Sequence, residues 1–417
     1  MTWERAWPQV IGRLVRETRD LDLAEDVTQD AFVTAMETWP RDGIPANPTA
    51  WLMTVARRKL LDRQRRSTTL RRKLPLLIVP FDAEPDPANA WHDDQLRLIF
   101  TCCHPALAPE NRVALALRLV CGIDTPTIAR LFLVSESTMA ARLTRSRKKI
   151  AAAGIAWRIP EPAEMPERLE AVLDTVYLLF TAGHTRPLGE SLIDPVLLER
   201  AESLARLVAD LLPTEPAALG LHALVRLSNA RRDARQDAPG NLMLLEAQDR
   251  SRWEGEAIAD GVAALERSLA LTQGGLPTTY ALQAAIEAVH LEAPTYAETD
   301  WRQLLALYTL LEAIAPSPLV TLNRVVVLSR LKGVAAGLDA LDRLDSEAVS
   351  TIEGPMAFAR ADLLRRAGEW KRSADAYRQA MSLASNEVQR AFAADRLREV
   401  EARLRTPFAT PVRSDRR

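Results

Sequence analysis

Apolar residues recur at helical spacing along most of the chain. Between residues 3 and 39 they lie three and four positions apart, a period that predicts amphipathic helices. The segment WPRDGIPANPT at 39–49 has three prolines and a glycine, which predicts a loop. A further helix is expected from about Thr49 to Ser67. Its predicted apolar side consists of Trp51, Leu52, Val55, Leu60 and Leu61.

Two proline-rich segments divide the rest of the chain, a predicted linker at 75–89 and a boundary at 159–167. Beyond residue 165 the amphipathic pattern continues to the end. Helices are expected between the two segments near 93–102, 109–121, 125–132 and 136–151. Later breaks are expected at the proline and glycine clusters near 187, 213–216, 239–240, 274–277, 294, 316–318 and 354–355. Because strand-type runs are almost absent, the fold is predicted to be all-α.

Length and composition restrict the class of protein. A chain of 417 residues has room for two to four domains. Its three cysteines, two of them adjacent, fit a reducing cytoplasm better than a disulfide framework. No apolar run reaches the length of a membrane span, and the N-terminus lacks the apolar core of a signal peptide. A cytoplasmic protein without membrane contact is therefore expected.

The strongest charge signal is WLMTVARRKLLDRQRR at 51–66. It carries six basic residues and one acid, although the whole chain has a formal net charge of −1. Arginines concentrated beside a tryptophan suit binding to phosphates and stacking on bases. A solvated basic helix face is the simpler interpretation of such a run when it stands alone.

The clearest local motif is DTPTIARLFLVSESTMAARLTRSRKK at 124–149. Asp124 or Thr125 can cap a first helix, Leu133 and Val134 form a turn, and Ser135 can cap a second helix. This is the pattern of a helix-turn-helix, and its basic second helix favours DNA binding over a plain helical hairpin. That helix is expected to bury Met139 and Leu143 and to expose Ser137, Thr138, Arg142, Arg145, Arg147, Lys148 and Lys149.

An acidic helix, AEDVTQDAF at 24–32, precedes the basic one. In this order and spacing the acidic helix, the basic helix and the helix-turn-helix beyond a linker resemble an RNA polymerase sigma factor of the extracytoplasmic-function (ECF) class, in the sigma-70 family. Residues 10–66 are similar to sigma region 2 and residues 93–150 to region 4.

Three further segments resemble the ECF subgroup with a long C-terminal extension, which is helical and tetratricopeptide-like. They are LRLIFTCCHPALAPENRVALALRL at 96–119, YLLFTAGH at 177–184 and LLEAQDRSRW at 244–253. Near the C-terminus, Gly368, Trp370, Tyr377 and Ala380 match the second half of one tetratricopeptide repeat, with Ser373 where alanine is usual.

The resemblance implies a domain order. Sigma region 2 would occupy residues 1–73, the linker 74–92, region 4 residues 93–153, the helical regulatory extension 165–408 and a tail 409–417.

The resemblance also implies partners: the RNA polymerase core, through its β′ clamp helices and β subunit, promoter DNA, and a protein partner of the extension. No enzymatic activity, cofactor or metal is expected. The implied polymerase-binding residues are Asp26, Gln29, Asp30 and Phe32. The implied −10 contacts are Trp51, Arg57, Arg58, Lys59, Arg63, Arg65 and Arg66. The implied −35 contacts are Ser137, Thr138, Arg142, Arg145, Arg147 and Lys148.

The chain departs from the family pattern at several positions. Arg58 stands where many such factors carry asparagine, and Ala140 and Ala141 remove polar side chains from the recognition helix. Leu133 replaces the usual glycine of the turn, which would be costly if the turn needs a positive φ. Phosphate contacts would therefore supply more of the −35 affinity.

Alternative interpretations concern the function of the whole chain, the segment from Cys102 to His104 and the cluster from Asp249 to Trp253. The chain could be a helix-turn-helix regulator with a helical ligand- or partner-binding domain that acts without joining the polymerase. Cys102, Cys103 and His104 are interpreted as core residues and not as a metal or redox site. The cluster from Asp249 to Trp253 could form a helix-terminal ion pair or contact the DNA-binding half.

Overall fold

The structure, a computed structural model, is all-α as predicted. It describes residues 2–70, 87–132, 134–186, 190–272, 274–344, 352–384 and 386–405, without the side chains of residues 2–5, 64–70 and 87–92. Within these ranges no strand forms, and Gln236 and Leu242 pair as an isolated β-bridge. The chain forms two compact units, Met1–Leu179 and Phe180–Arg417.

The first three helices follow the predicted pattern. The loop between the second and third spans residues 43–47 and is shorter than the predicted loop at 39–49. The three helices are α1 (Thr2–Thr18), α2 (Leu21–Asp42) and α3 (Pro48–Leu70). The carboxylate of Asp20 accepts hydrogen bonds from the backbone N–H groups of Asp22 and Leu23, which fixes the start of α2. Helix α2 continues past Trp39 and ends at Gly43, whose φ of +85° suits glycine.

The next four helices include the predicted helix-turn-helix. They are α4 (Pro87–Cys102), α5 (Pro109–Leu115), α6 (Thr125–Leu131) and α7 (Glu136–Ala152), and a π-helical turn, Ala116–Val120, continues α5. Side chains of Asp124 and Ser135 cap α6 and α7 as expected. Helix α4 begins six residues before its expected start at 93, inside the predicted linker. The remainder of that linker and Leu133 lie outside the described residues.

The division between the two units falls inside the next helix, α8 (Met165–His184), between Leu179 and Phe180. Arg168, near the start of α8, donates a 2.7 Å hydrogen bond to the carbonyl of Phe100 on α4. The first part of α8 therefore belongs to the amino-terminal unit, although the sequence places the start of the extension at residue 165.

The carboxy-terminal unit continues as a series of helices whose breaks lie close to the predicted proline and glycine clusters. The helices are α9 (Pro195–Leu211), α10 (Pro216–Ala230), α11 (Gly255–Leu271), α12 (Thr279–Glu292), α13 (Trp301–Ile314), α14 (Pro318–Lys332), α15 (Val334–Leu341), α16 (Glu353–Arg366), α17 (Trp370–Leu383) and α18 (Glu387–Arg405). Proline starts three of them, at the first helical position where its missing N–H has no cost. None of the described helices is long and apolar enough to cross a membrane.

The helical hairpin α16–α17 corresponds to the segment that matches a tetratricopeptide repeat. Gly368, at a φ of +78°, lies in the turn, and Tyr377 and Ala380 are buried. Ser373 is buried too, and its hydroxyl donates a 2.9 Å hydrogen bond to the carbonyl of Ala361 on the facing helix. This bond explains how a serine is accommodated where an alanine is usual.

The cluster from Asp249 to Trp253 contacts the C-terminal end of α12 within the extension. Arg250 stacks on the ring of Trp253 at 4.2 Å and donates to the carbonyls of His290 and Ala293, at 2.8 and 2.7 Å. These carbonyls lie at the C-terminal end of α12, where helix carbonyls lack partners of their own. Arg250 therefore caps this helix end.

Candidate functional site

The polar face of α2 presents two carboxylates beside the basic helix α3. Arg63 of α3 donates to Asp26 at 2.6 Å and to Asp30 at 2.9 Å, and all three side chains keep substantial exposure. The hydrogen bond to Asp26 and the charges of both carboxylates raise the pKa of Arg63. Since exposed ion pairs contribute little to stability, these carboxylates can exchange partners at low cost.

The other two predicted polymerase-binding residues are less accessible. Gln29 donates a 2.7 Å hydrogen bond to Glu25 and is half-buried. Phe32 is buried and packs edge-on against Trp7, with ring centroids 5.1 Å apart. Of the four predicted residues, Asp26 and Asp30 therefore have the carboxylates that a partner can reach.

Two exposed apolar side chains on α2 were assigned wrongly by the sequence pattern. The helical spacing of apolar residues between 3 and 39 includes Val33 and Met36 among the residues predicted to face the core, yet they are 53% and 66% exposed. Val33 lies three residues after Asp30, and Met36 lies seven residues after Gln29. Both side chains therefore lie on the same face of α2 as those residues. These two side chains form an exposed apolar patch next to the acidic surface. An apolar patch of this kind is typical of a protein-binding surface.

The basic helix α3 places its cations on an exposed face. Arg57 and Arg58 are exposed and Lys59 is half-buried, and Arg57 donates to Glu17 of α1 at 2.6 Å. Trp51, also half-buried, packs against Trp39 with ring centroids 5.5 Å apart. Leu61 is exposed rather than on the apolar side as predicted. The side chains of Arg65 and Arg66 lie outside the described residues.

Some of the helix-turn-helix residues that are predicted to be exposed are exposed, and others are partly buried. Met139 and Leu143 are buried, as expected. Arg142 is half-buried, with its guanidinium 5.7 Å from the ring centre of Phe132. The predicted surface residues that are exposed are Ser137, Thr138, Arg145, Lys148 and Lys149.

Arg147 differs from the prediction that it is exposed. Only 14% of its side chain is accessible, and it pairs with Glu25 and, at 3.1 Å, with Asp22. Glu25 also accepts from Arg118, on the π-helical turn. In the sequence, Glu25 is one acid of the acidic helix at 24–32, and neither it nor Arg118 is predicted to have a role of its own. A buried carboxylate needs partners of this kind, but no local motif identifies them.

The two adjacent cysteines lie in the core, as predicted. Both are buried, and burial raises the pKa of Cys103 to about 11 and the pKa of Cys102 as well. Within the described ranges no group of three or more histidine, cysteine or acidic side chains could hold a metal ion.

Fold and site together define a helical transcription factor that joins a helix-turn-helix to an acidic helix and a basic helix. Residues 3–69 match the family model of sigma-70 region 2, and residues 97–150 match sigma-70 region 4. Residues 168–269 match a family of unknown function, DUF6596.

Two relatives are similar to the chain over different lengths. An uncharacterized protein of Rhizobium meliloti is 38% identical over 396 residues, which is 93% of this chain and 92% of that protein. The ECF RNA polymerase sigma factor SigL of Mycobacterium tuberculosis is 32% identical over 133 residues, which is 31% of this chain and 73% of SigL. No solved structure matches the chain. The chain belongs to the ECF sigma factors of the sigma-70 family, which are initiation factors and not enzymes, and it carries a long helical C-terminal region in addition.

Proposed function

We propose that this chain binds RNA polymerase core through α2 and directs it to promoters through α3 and α7. The observation that carries the proposal is the arrangement of α2 and α3, an exposed acidic face beside an exposed basic helix in a sigma region 2 fold. Cytoplasmic action on promoter DNA follows from this role.

On the polymerase side, Asp26 and Asp30 would contact the clamp helices of the β′ subunit. Val33 and Met36 support this assignment, because an apolar patch next to exposed carboxylates suits a protein partner. Gln29 and Phe32 would support the same surface from the helix interior. Region 4 would contact the β subunit.

On the DNA side, the two basic helices would have different tasks. The −10 contacts would come from α3, where exposed arginines can hold a strand and Trp51 supplies a stacking surface. The −35 contacts would come from the start and exposed side of α7, in the major groove. Because Ala140 and Ala141 have no polar side-chain groups, the exposed Arg145 and Lys148 would contribute through phosphates.

Replacement of Asp26, Gln29 and Asp30 by lysine tests the polymerase surface. We expect loss of co-purification with core polymerase, because the acidic face becomes strongly positive. A matched control replaces the exposed Glu110, Glu167 and Glu170 by lysine, with a similar change in charge, and should retain binding. If the first variant still binds core while the chain binds operator DNA alone, a regulator that acts without the polymerase becomes the better description.

We further propose that the helical extension regulates this activity within the same chain or with a protein partner. A cavity of about 570 Å³ in the extension supports a binding role. Leucines 242, 244 and 245 line it together with Phe358 and Phe392.

Two truncations test regulation by the extension. A chain ending at Gly154 removes all of α8, and a chain ending at His184 retains the part of α8 that packs on α4. We expect transcription from the target promoters to change in both, measured with core polymerase over a genomic promoter library. Transcription equal to that of the full chain under every condition would remove the regulatory role.

A further inference from the structure

The cavity of the extension lies inside the carboxy-terminal unit, chiefly between one loop and four helices. The loop consists of residues 242–246, and the helices are α14, α16, α17 and α18. Its volume of about 570 Å³ falls within the range of about 300–1,000 Å³ that small-molecule sites have. The size of the cavity therefore suits a small molecule.

Large apolar side chains form most of the cavity wall and stay partly accessible. Leu242, Leu244 and Leu245 come from the loop, and Phe358 and Phe392 come from α16 and α18. The two phenylalanine rings lie with their centroids 6.5 Å apart. Because apolar surface gains free energy when a ligand removes it from water, this wall favours an apolar ligand.

The loop that supplies the leucines is held in place on both sides of the cavity wall. Before it, the backbone N–H of Met243 donates to the carbonyl of Arg235 at 2.8 Å. After it, Arg250 donates to the carbonyls of His290 and Ala293 at the end of α12. The segment LLEAQDRSRW at 244–253 therefore begins with a preformed wall of the cavity, which lowers the entropy cost of binding.

The charged side chains of the cavity wall are already paired. Among the described residues, those that line the cavity are Glu246, Arg330 and Asp362. Glu246 pairs with Arg330 at 3.1 Å, and Asp362 pairs with Arg365 at 2.7 Å, so the four charges cancel. A charged ligand would have to compete with one of these partly buried pairs, which is costly. The wall therefore favours an uncharged ligand.

Arg330 keeps one hydrogen-bond donor for a ligand. One of its terminal nitrogens donates to Glu246, and its guanidinium lies 5.1 Å from the ring centre of Tyr296. The Nε of Arg330 is buried and has no hydrogen-bond acceptor among the residues that the structure describes. Since a buried N–H without an acceptor costs free energy, an oxygen atom of a ligand would be stabilising there.

We propose that this cavity binds an uncharged, mainly apolar small molecule that carries a carbonyl or hydroxyl oxygen. Its apolar body lies against the leucines of the loop and the two phenylalanines, and its oxygen accepts from the Nε of Arg330. The bound molecule contacts both the loop at 242–246 and the helices of the repeat-like hairpin, so it stabilises their contact. The regulatory meaning of the ligand rests on the proposed function of the extension, whereas binding itself needs no polymerase.

Two related dyes test the ligand class on the full-length chain. Prodan is an uncharged naphthalene with a ketone oxygen, and dimethylaminonaphthoate has the same ring system with a carboxylate. Prodan fluorescence shifts to the blue in apolar surroundings, so titration gives its Kd. We expect saturable binding of one prodan per chain, with an affinity higher than that of the carboxylate by about tenfold or more. Equal or tighter binding of the carboxylate, or no saturable binding of prodan, overturns the proposal.

Ala359→Leu tests whether prodan binds in this cavity. Ala359 lines the cavity from α16, so a longer side chain there occupies part of its volume. We expect the affinity for prodan to fall by about tenfold or more. Ala263→Leu, the same change at an exposed alanine of α11, is the matched control and should keep the native affinity.

Phe392→Ala is a second variant, and it removes part of the wall instead of filling the cavity. It should also weaken prodan binding, and thermal unfolding of every variant is followed to verify that the chain is folded. Native affinity in both folded cavity variants overturns the site. A dimer of the native chain that Ala359→Leu dissociates assigns the cavity to a second copy and also overturns the proposal.

Co-purification with core polymerase is measured separately on the same proteins. A native chain that binds prodan with the expected preference but does not bind core counts against the proposed function and supports the ligand site. A chain that binds core but not prodan has the opposite meaning.

Discussion

Arginine ion pairs in the two units differ in how deeply they are buried. In the amino-terminal unit, Arg57 and Arg63 pair with carboxylates on other helices, and 44% and 37% of their side chains are exposed. In the carboxy-terminal unit, Arg231 is paired with Glu287 through two 3.0 Å hydrogen bonds, and their side chains are only 13% and 19% exposed. An exposed pair contributes little to stability, whereas breaking a buried pair is costly. Burial, rather than the residue type, therefore distinguishes a structural arginine of the folded core.

The largest effect is expected at the buried pair of the extension. Burial alone would raise the pKa of Glu287, but the charge and hydrogen bonds of Arg231 outweigh it and lower the pKa to about 2. Glu287→Gln leaves the Arg231 guanidinium without a counter-charge and should cost about 3–5 kcal/mol. Hydrogen exchange of α10 and α12 in increasing urea measures this cost. Glu401→Gln, which breaks the more exposed pair with Arg378, should cost under about 1 kcal/mol.

An intermediate effect is expected from pH, again in the extension. Burial lowers the pKa of His290 to about 4 and also lowers the pKa values of His184 and His222. Unfolded histidines titrate near 6.5, so the unfolded state binds more protons below that pH. Stability is therefore complete above about pH 6.5 and falls toward pH 4, by about 2 kcal/mol between pH 7 and 5 for His290 alone. Urea unfolding across this range should show the loss, and His290→Gln should flatten it. An equal slope in the variant would contradict the assignment to His290.

The smallest effect on stability is expected at Arg63. Arg63→Ala removes two exposed ion pairs and should change the free energy of unfolding by less than about 1 kcal/mol. If Arg63 contacts a promoter phosphate in the polymerase complex, the slope of log affinity against log salt should fall by about 1. A large loss of stability with an unchanged salt slope would place Arg63 with the structural arginines of the extension.

Local features of the fold were predictable from the sequence. The helix-turn-helix, its caps Asp124 and Ser135 and its buried Met139 follow from residue types at fixed spacing. The repeat-like hairpin follows in the same way from Gly368 and Tyr377. Such features depend on interactions within one or two helical turns, which a sequence pattern displays directly.

Long-range features were not predictable in the same way. Arg147 pairs with Glu25, which lies 122 positions away, and the chain has 54 basic and 55 acidic residues from which to choose partners. The exposure of Val33 and Met36 could not be predicted from the sequence either. An apolar residue that faces a partner protein has the same sequence pattern as one that faces the core. Helix periodicity also gives no sign that α8 belongs to two units.

Burial protects the adjacent Cys102 and Cys103 from oxidants while the amino-terminal unit stays folded. The thiolate is the form that attacks peroxides and alkylating reagents, and both burial and a raised pKa keep Cys102 and Cys103 in the thiol form. Their modification therefore requires that the core around α4 opens first. The rate at which these two thiols are modified therefore measures how fast this core opens, and the measurement needs no introduced label.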